Sequence, residues 1–201
     1  MIQGGIPMAN NKIFVILGKS ASGKDTVFQR ICQECNLIPI TYYTTRPRRN
    51  GEVDGKDYFY VSDKFIADAE KNGTLIEKRV YDTVKGLWTY ATINDGQFDT
   101  NANSIIVLPP KGYESFIEHF GKDRIVPIFI HVPDGIRLRR SIERDEKQEV
   151  PNYLETCRRF LSDAEDFKNL NIDATHVFEN DDIDLCVENI IRVMGLEKKY
   201  P

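Results

Sequence analysis

The sequence of 201 residues predicts an α/β fold with three layers, in which helices cover both faces of a parallel β-sheet. Short, nearly all-apolar segments alternate with stretches of helical period, which is typical of such a sheet. The first segment leads into a glycine-rich loop. Residues 42–92 then change to alternating, aromatic-rich stretches, which predict an inserted small mixed α/β subdomain. The predicted strands of the main sheet are residues 12–17, 37–41, 104–108, 125–131 and 176–179.

The glycine-rich loop after the first strand has the spacing of a phosphate-binding loop (P-loop). Gly18 and Gly23 enclose four residues and Lys24 follows, so backbone N–H groups, a lysine and a helix start can converge on one polyphosphate. A glycine-rich turn without a ligand is the alternative. Asp25 stands where the motif expects Ser or Thr to meet magnesium, and Thr26 follows it. The residues predicted to surround a phosphate donor are Gly18, Ser20, Ala21, Ser22, Gly23, Lys24, Asp25 and Thr26.

The composition limits the possible partners. A net charge of −4 does not favour nucleic acid, so an anionic substrate requires a local cluster of arginines. No apolar stretch approaches the roughly 20 residues that span a bilayer, and residues 1–11 lack the features of a signal peptide. We therefore expect a cytoplasmic protein without a membrane partner. Residues 1–11 are expected to form a disordered leader or an expression remnant, with Met8 as an alternative start.

Four cysteines are too few and too scattered for a disulfide framework in a chain of this size. The spacing of Cys32 and Cys35 admits a zinc or redox site, but no second pair follows at zinc spacing. Both residues also fall within the helix predicted after the loop. We therefore expect structural thiols.

Helical period marks three further segments. Residues 63–71 predict a helix within the insert, and apolar residues three and four positions apart predict two later helices, one from Pro151 to Phe167 and one from Ile183 to Met194. Pro151 suits a first helical position. Residues 137–149 are dense in charge, and composition alone leaves open whether they form a solvated helix face or a functional segment.

A second anion-binding signal lies in the insert. Arg46 and Arg49 are three residues apart around Pro47, which stiffens the segment, and each guanidinium can offer a planar fork to a phosphate. Tyr58 can add a hydroxyl donor. A basic surface hairpin is the alternative.

The insert and the loop together resemble the guanylate kinases. Residues 44–58 follow that family's acceptor-binding pattern, Thr-Thr-Arg-x-x-Arg-x-Gly-Glu-x-x-Gly-x-Asp-Tyr, and the likeness extends over about residues 12–194. Glu77 in Leu-Ile-Glu matches the glutamate that reads guanine. The Tyr90-Ala91-Thr92 element also matches the family, as does Arg158 on the helix after the lid. Asn180, in the segment Asn-Asp-Asp, matches a family residue that lies beside the ATP base.

The resemblance implies a P-loop kinase that transfers the γ-phosphate of ATP to GMP with Mg²⁺. Residues 12–41 and 93–196 would form the core, residues 42–92 the monophosphate-binding subdomain, and residues 137–150 a helical lid. ATP and GMP would be the partners of a monomer or homodimer. Lys24, Arg46, Arg144 and Arg158 would be catalytic, and Asn180 would join the loop in binding ATP. The implied GMP-binding residues are Arg46, Arg49, Tyr58, Glu77, Tyr90 and Thr92.

The base-reading role of Glu77 is chemically reasonable, because a carboxylate can accept both the N1–H and the 2-amino group of guanine. If Glu77 is instead buried away from a ligand, it needs an arginine partner such as Arg79.

The chain also departs from the family. Residues 107–111 carry no carboxylate where the family has an Asp-x-Asp pattern that serves magnesium and the acceptor, and Tyr42 replaces a serine that helps hold guanine. The lid lacks the family's Gly-Arg-Gly stretch, which leaves Arg144 as the best candidate for its arginine and Arg140 as the next. We therefore hypothesise that Asp25 partly replaces the missing acid as a magnesium ligand.

These departures leave two alternatives open. The missing acid favours a nucleotide- or protein-binding module with little turnover. Tyr42 and Pro109 favour a P-loop kinase that acts on another phosphorylated acceptor.

Overall fold

The computed structural model describes residues 11–83, 86–98 and 101–199, and the predicted leader lies outside them except for Asn11. The described elements follow the alternating order that the sequence predicts. They are β1 (Ile13–Leu17), α1 (Lys24–Glu34), β2 (Ile38–Pro39), β3 (Tyr43–Thr44), β4 (Phe59–Tyr60), α2 (Asp63–Lys71), β5 (Leu75–Thr83), β6 (Gly86–Ile93), β7 (Ser104–Val107), α3 (Pro110–Phe120), β8 (Ile125–His131), α4 (Asp134–Glu146), α5 (Tyr153–Asp166), β9 (Val177–Glu179) and α6 (Ile183–Met194).

The main sheet has the strand order β2-β7-β1-β8-β9, and every pairing in it is parallel. Alternate side chains of β1 point to opposite faces. Phe14 and Ile16 join the core under α1 and α6, whereas Val15 joins the core under α3. The predicted three-layer α/β fold is therefore confirmed, with β1 at the centre and the glycine-rich loop at its carboxyl end.

The insert forms a separate four-stranded sheet in the order β4-β3-β6-β5. It is mixed, because β3 pairs with β4 in parallel and with β6 antiparallel. The helix α2 has the predicted bounds and packs Ile66 against Ala91 and Ile93 of β6. In the long β5–β6 hairpin, Glu77 lies opposite Thr92 and Arg79 lies opposite Tyr90.

Several boundaries differ from the sequence prediction, and three of them have a clear structural reason. The strand predicted at residues 37–41 is only Ile38–Pro39, an edge strand in which Pro39 offers no N–H to a ladder. Pro151 precedes α5 instead of opening it, because the Asn152 side chain accepts the Glu155 N–H at 3.1 Å and takes the N-cap position. Asn11 belongs to the core and not to a leader, since it is buried and its amide donates to the Ala102 carbonyl at 3.1 Å.

The cysteines are free thiols. Cys32 lies in α1 and Cys35 follows the helix directly. Burial raises the pKa of Cys32 to about 11 and also raises the pKa of Cys35, which disfavours the thiolate that redox or zinc chemistry needs. Within the described ranges, none of the helices is both long and apolar enough to cross a membrane.

The α3 side of the core yields a stability prediction. Phe116 is fully buried and packs between Phe98 and Phe120, with ring centroids 5.8 and 5.5 Å away. Phe116→Ala should lower the free energy of unfolding by about 3–5 kcal/mol, measured by urea denaturation, because it removes apolar contact and leaves a cavity. Val193 is half exposed, so the control Val193→Ala should stay within about 0.5 kcal/mol of the parent. A Phe116→Ala loss below about 1 kcal/mol would contradict this packing.

Candidate functional site

The loop between β1 and α1 has room for no residue larger than glycine at two points. Gly23 has φ +83°, and a Cβ there would lie 2.3 Å from Nδ2 of Asn180. A Cβ on Gly18 would lie 2.6 Å from Oγ of Ser22 and 3.0 Å from the Ile130 carbonyl oxygen. Ala21 also has a positive φ, of 59°. The loop is therefore a tightly packed turn that ends at the amino terminus of α1, the end of a helix that attracts anions.

Asn180 holds this loop from below. Its side chain is 4 % exposed, its Nδ2 donates to the Ser22 carbonyl at 2.7 Å, and its backbone N–H donates to the His131 carbonyl at 2.9 Å. The Asn180 amide therefore helps to fix the shape of the loop. The place beside the ATP base that the resemblance implied for Asn180 stays a prediction. Arg140, the second lid candidate, donates to the Asn180 carbonyl at 3.1 Å and supports the same segment.

An ion pair between Arg137 of α4 and Asp163 of α5 contacts the start of the loop. Asp163 accepts the Ser20 backbone N–H at 2.7 Å, and Arg137 donates to the Ser20 carbonyl at 2.9 Å. Arg137 is 1 % exposed, lies 3.2 Å from Asp163, bonds Asp134 at 2.6 Å and has its guanidinium 4.8 Å from the Phe160 ring centroid. The charge-dense segment is therefore not simply a solvated face. Sequence reasoning missed Arg137 and Asp163, because neither lies in a motif.

Lys24, Asp25 and Thr26 occupy the first turn of α1. The Asp25 side chain is 77 % exposed, and one of its oxygens lies 3.5 Å from the Lys24 Nζ. Thr26 is exposed and Ser22 is buried, with an Oγ that has no hydrogen-bond partner among the described residues.

These residues fit a Mg²⁺ ion that is held mainly by donor phosphates. Oxygen ligands suit this ion, and it commonly takes one or two protein carboxylates beside phosphate and water. Asp25 supplies such an oxygen at the mouth of the loop. Across the described ranges there is no group of three or more His, Cys, Asp or Glu side chains that could hold a metal alone.

The predicted acceptor arginine lies in a charged and aromatic cluster in the insert. Arg46 is 3 % exposed and donates two hydrogen bonds to the Glu52 carboxylate, at 2.7 and 3.1 Å. Its Nε donates to the Tyr90 hydroxyl at 3.1 Å. Its guanidinium lies 5.3 Å from the ring centroid of Tyr58, and Tyr60 donates to Glu52 at 2.8 Å. The structure thus brings Arg46, Tyr58 and Tyr90 together, as predicted.

Glu52 and Tyr60 are members of this cluster that the sequence analysis did not assign. Hydrogen bonds from Arg46, and then from the Arg49 backbone, lower the pKa of Glu52 to about 2, so this carboxylate is the resident anion of the cluster. The Gly-Glu step of the family pattern was the available signal for it. Arg49 is exposed, and within the described residues its side chain has no hydrogen bond or ion pair.

The predicted base-reading pair is also in contact. Glu77 is 6 % exposed and accepts the Thr92 hydroxyl at 3.0 Å. Glu77 also accepts two hydrogen bonds from Arg79, one from Nε at 3.1 Å and one from Nη2 at 3.3 Å. Glu77 therefore has both the neighbour that the resemblance implied and the arginine that the alternative interpretation required.

The predicted catalytic arginines of the lid and of the helix after it are not gathered at the loop. Arg144 is exposed near the end of α4 and has no side-chain partner among the described residues. Arg158 is 64 % exposed and donates two hydrogen bonds to Glu155 of its own helix, at 2.7 and 2.8 Å. Arg137 is the arginine that contacts the loop in this conformation.

The comparisons with known proteins agree on one family. The family model for guanylate kinase matches residues 10–197. A guanylate kinase of Wolbachia sp. subsp. Brugia malayi is 25 % identical over 191 residues, which cover 92 % of this chain and 93 % of that protein. The guanylate kinase of Corynebacterium efficiens is 30 % identical over 200 residues, with 92 % and 95 % covered.

A solved structure gives the same result for the fold. The crystal structure of guanylate kinase from Anaplasma phagocytophilum matches with a TM-score of 0.66 over 93 % of this chain and 86 % of that chain, at 22 % sequence identity. A family model that covers nearly the whole chain, with the loop and the arginine cluster in place, leads to one conclusion: the chain belongs to the guanylate kinase family.

Proposed function

We propose that this protein transfers the γ-phosphate of ATP to GMP in the presence of Mg²⁺, giving ADP and GDP. The observation that carries the proposal is the Arg46 cluster, in which a nearly fully buried guanidinium is held beside the tyrosines Tyr58 and Tyr90. That arrangement suits a phosphate monoester dianion. We also propose that the protein acts in the cytoplasm on free nucleotides, as a monomer or a homodimer.

On the donor side, Lys24 and the loop amides would bind the phosphates of ATP at the amino terminus of α1. Ser22, Asp25 and Thr26 offer oxygen atoms close to them. Mg²⁺, when bound, neutralises charge on the donor phosphates. Asp25 would hold the ion partly in place of the acid that residues 107–111 lack, and its repulsion from the phosphates would be offset only with a cation between them.

On the acceptor side, Arg46 and Arg49 would hold the phosphate of GMP together with Tyr58 and Tyr90. Glu52 keeps Arg46 extended and charged until the phosphate arrives, so the guanidinium does not have to be ordered during binding. Glu77 and Thr92 would read the base. The donated phosphate is attacked by an acceptor phosphate oxygen, so catalysis needs positioning and charge neutralisation, with no nucleophilic side chain.

Residues 137–150 would act as a helical lid that excludes water and suppresses ATP hydrolysis. Arg144 and Arg158 would neutralise the transferring phosphoryl group once the lid closes. Arg144 is free to move, whereas Arg158 would have to exchange Glu155 for the phosphate.

The second candidate is a guanylate-kinase-like module that binds nucleotide or protein with little turnover. The absence of a carboxylate in residues 107–111 favours it. A kinase for another phosphorylated acceptor is the third candidate, and Tyr42 and Pro109 favour that one. ADP release from ATP and Mg²⁺, measured with a panel of nucleoside monophosphates and sugar phosphates, separates all three.

Removing the acceptor arginine tests the first candidate. Arg46→Met should lower kcat/KM for GMP by at least about 100-fold, because two or more charge-assisted hydrogen bonds to the phosphate are lost. The exposed neighbour provides a matched control, and Arg48→Met should stay within about threefold of the parent enzyme. The KM for ATP should change little in both variants. GMP turnover that survives Arg46→Met within threefold would place the acceptor phosphate elsewhere.

The role of Asp25 is tested by Asp25→Ser, which restores the residue type expected by the motif. If Asp25 is a magnesium ligand, the substitution should shift the Mg²⁺ concentration for half-maximal rate and lower kcat. Asp184 is an exposed acidic residue in the first turn of α6, and Asp184→Ser serves as the control. An unchanged magnesium dependence and rate in Asp25→Ser would refute the role.

Two arginines of the proposed lid, Arg144 and Arg137, are expected to differ: Arg144 should affect the rate and Arg137 the stability. Arg144→Met should lower kcat by roughly 10³-fold with little effect on stability, because an exposed side chain acts only in the closed state. Arg137→Met should instead cost about 3–5 kcal/mol in the free energy of unfolding, since it leaves Asp163 without its buried partner. Kinetics and urea unfolding on both variants make the comparison. Equal stability losses in the two variants, or full activity in Arg144→Met, would contradict these assignments.

A further inference from the structure

One side chain in the acceptor region has no role in the function proposed above. Arg79 lies two residues after Glu77 on β5, so both side chains share one face of the hairpin. Across the hairpin this face carries Thr92, opposite Glu77, and Tyr90, opposite Arg79. Arg79 therefore lies between the base-reading pair and the tyrosine that contacts Arg46.

The guanidinium of Arg79 is fixed in place. Its Nε and Nη2 donate hydrogen bonds to Glu77 at 3.1 and 3.3 Å, and its Cζ lies 5.4 Å from the ring centroid of Tyr42. Burial opposes the charged form, but Glu77 together with Tyr42 and Tyr81 raises the pKa of Arg79 above its ordinary value. The Arg79 side chain still has 27 % of its surface exposed, so it is held on two sides and open on another.

Tyr42 lies beside the same guanidinium. Its hydroxyl is buried and reaches the distance and angle of a hydrogen bond with none of the described residues, and burial raises the pKa of Tyr42, so the hydroxyl stays protonated. Buried polar atoms without a partner are uncommon in folded proteins. The three such side-chain atoms in the described ranges are Ser22 Oγ in the phosphate loop, Tyr42 Oη beside Arg79, and Ser104 Oγ at the start of β7.

The pair formed by Glu77 and Arg79 has the polarity of a guanine edge. Guanine presents two donors, N1–H and the 2-amino group, next to two acceptors, O6 and N7. A carboxylate matches the donors, and an arginine fork is the commonest partner of O6 and N7. Adenine has the opposite order, with an amino group where guanine has O6, and would place donors against donors.

We propose that Arg79 is a specificity-determining residue of the acceptor site, where its guanidinium donates to O6 and N7 of the purine while Glu77 accepts from N1–H and the 2-amino group. The proposal rests on the proposed function, because it assigns the base contacts of the GMP site. The Tyr42 ring lies against the Arg79 guanidinium, with its centroid 5.4 Å from Cζ, and limits where the guanidinium can move. Tyr42 stands at the sequence position where the family has a serine that helps hold guanine.

The test compares GMP with 7-deaza-GMP, which differs from GMP by the loss of the N7 acceptor. The parent enzyme should prefer GMP about 10-fold in kcat/KM and in the dissociation constant, since one charge-assisted hydrogen bond is lost. In Arg79→Met this preference should fall to within about twofold. Arg79→Lys keeps the charge but not the fork, and should lose most of the preference as well.

Lys78→Met is the matched control. Lys78 is the next residue on β5, points to the opposite face and bonds Glu70, so its substitution should leave the 10-fold preference intact. Thermal melting and the dissociation constant for ATP show that each variant is folded.

The outcomes separate the inference from the function on which it rests. If the parent enzyme uses and binds 7-deaza-GMP as well as GMP, or if Arg79→Met retains the preference, Arg79 does not read the base and the inference is overturned. If GMP binds without turnover, the ratio of dissociation constants decides in the same way. If GMP neither binds nor reacts, the proposed function fails and the inference falls with it.

Discussion

An arginine can be buried only with an anionic partner, because the loss of hydration must be repaid by charge-assisted hydrogen bonds. This requirement shapes every part of the candidate site. Glu52 partners Arg46, Glu77 partners Arg79, and Asp163 and Asp134 partner Arg137. Each carboxylate fixes its guanidinium in one orientation before any ligand is present. The charged side chains of the candidate site are thus ordered by contacts within the protein.

The same pairs connect separate parts of the fold. Arg137 and Asp163 belong to α4 and α5, yet both bind Ser20 of the loop, while Asn180 reaches the loop from the end of β9. The geometry of the donor site therefore depends on helices and strands far along the chain. Arg137 thus links α4 directly to the loop.

Sequence reasoning was most informative where a motif has a short, fixed spacing. Gly18 and Gly23 were assigned from the spacing of the loop, whose packing leaves no room for a Cβ at either position. Arg46 and Glu77 were assigned from the family pattern, and their roles in binding stay predictions. The apolar strands and the insert also followed from local periodicity.

The rest depended on contacts between distant segments. Arg137 and Ser20 are separated by 117 residues and Asp163 and Ser20 by 143, so no local pattern could pair them. Asn180 was assigned to the base by resemblance alone, and its buried contact with Ser22 became visible only in three dimensions. Pro151 and Asn152 both suit a helix start, and the Asn152 hydrogen bond decided between them.

The central claim is that an acceptor monophosphate binds at Arg46 while its purine meets Glu77 and Arg79. A crystal structure with GMP and a non-hydrolysable ATP analogue tests this most directly. The account predicts the GMP phosphate within hydrogen-bond distance of Arg46 and Tyr90, with the purine edge on Glu77 and Arg79. A structure in which GMP lies elsewhere, with the Arg46–Glu52 and Glu77–Arg79 pairs unchanged and unoccupied, would contradict it.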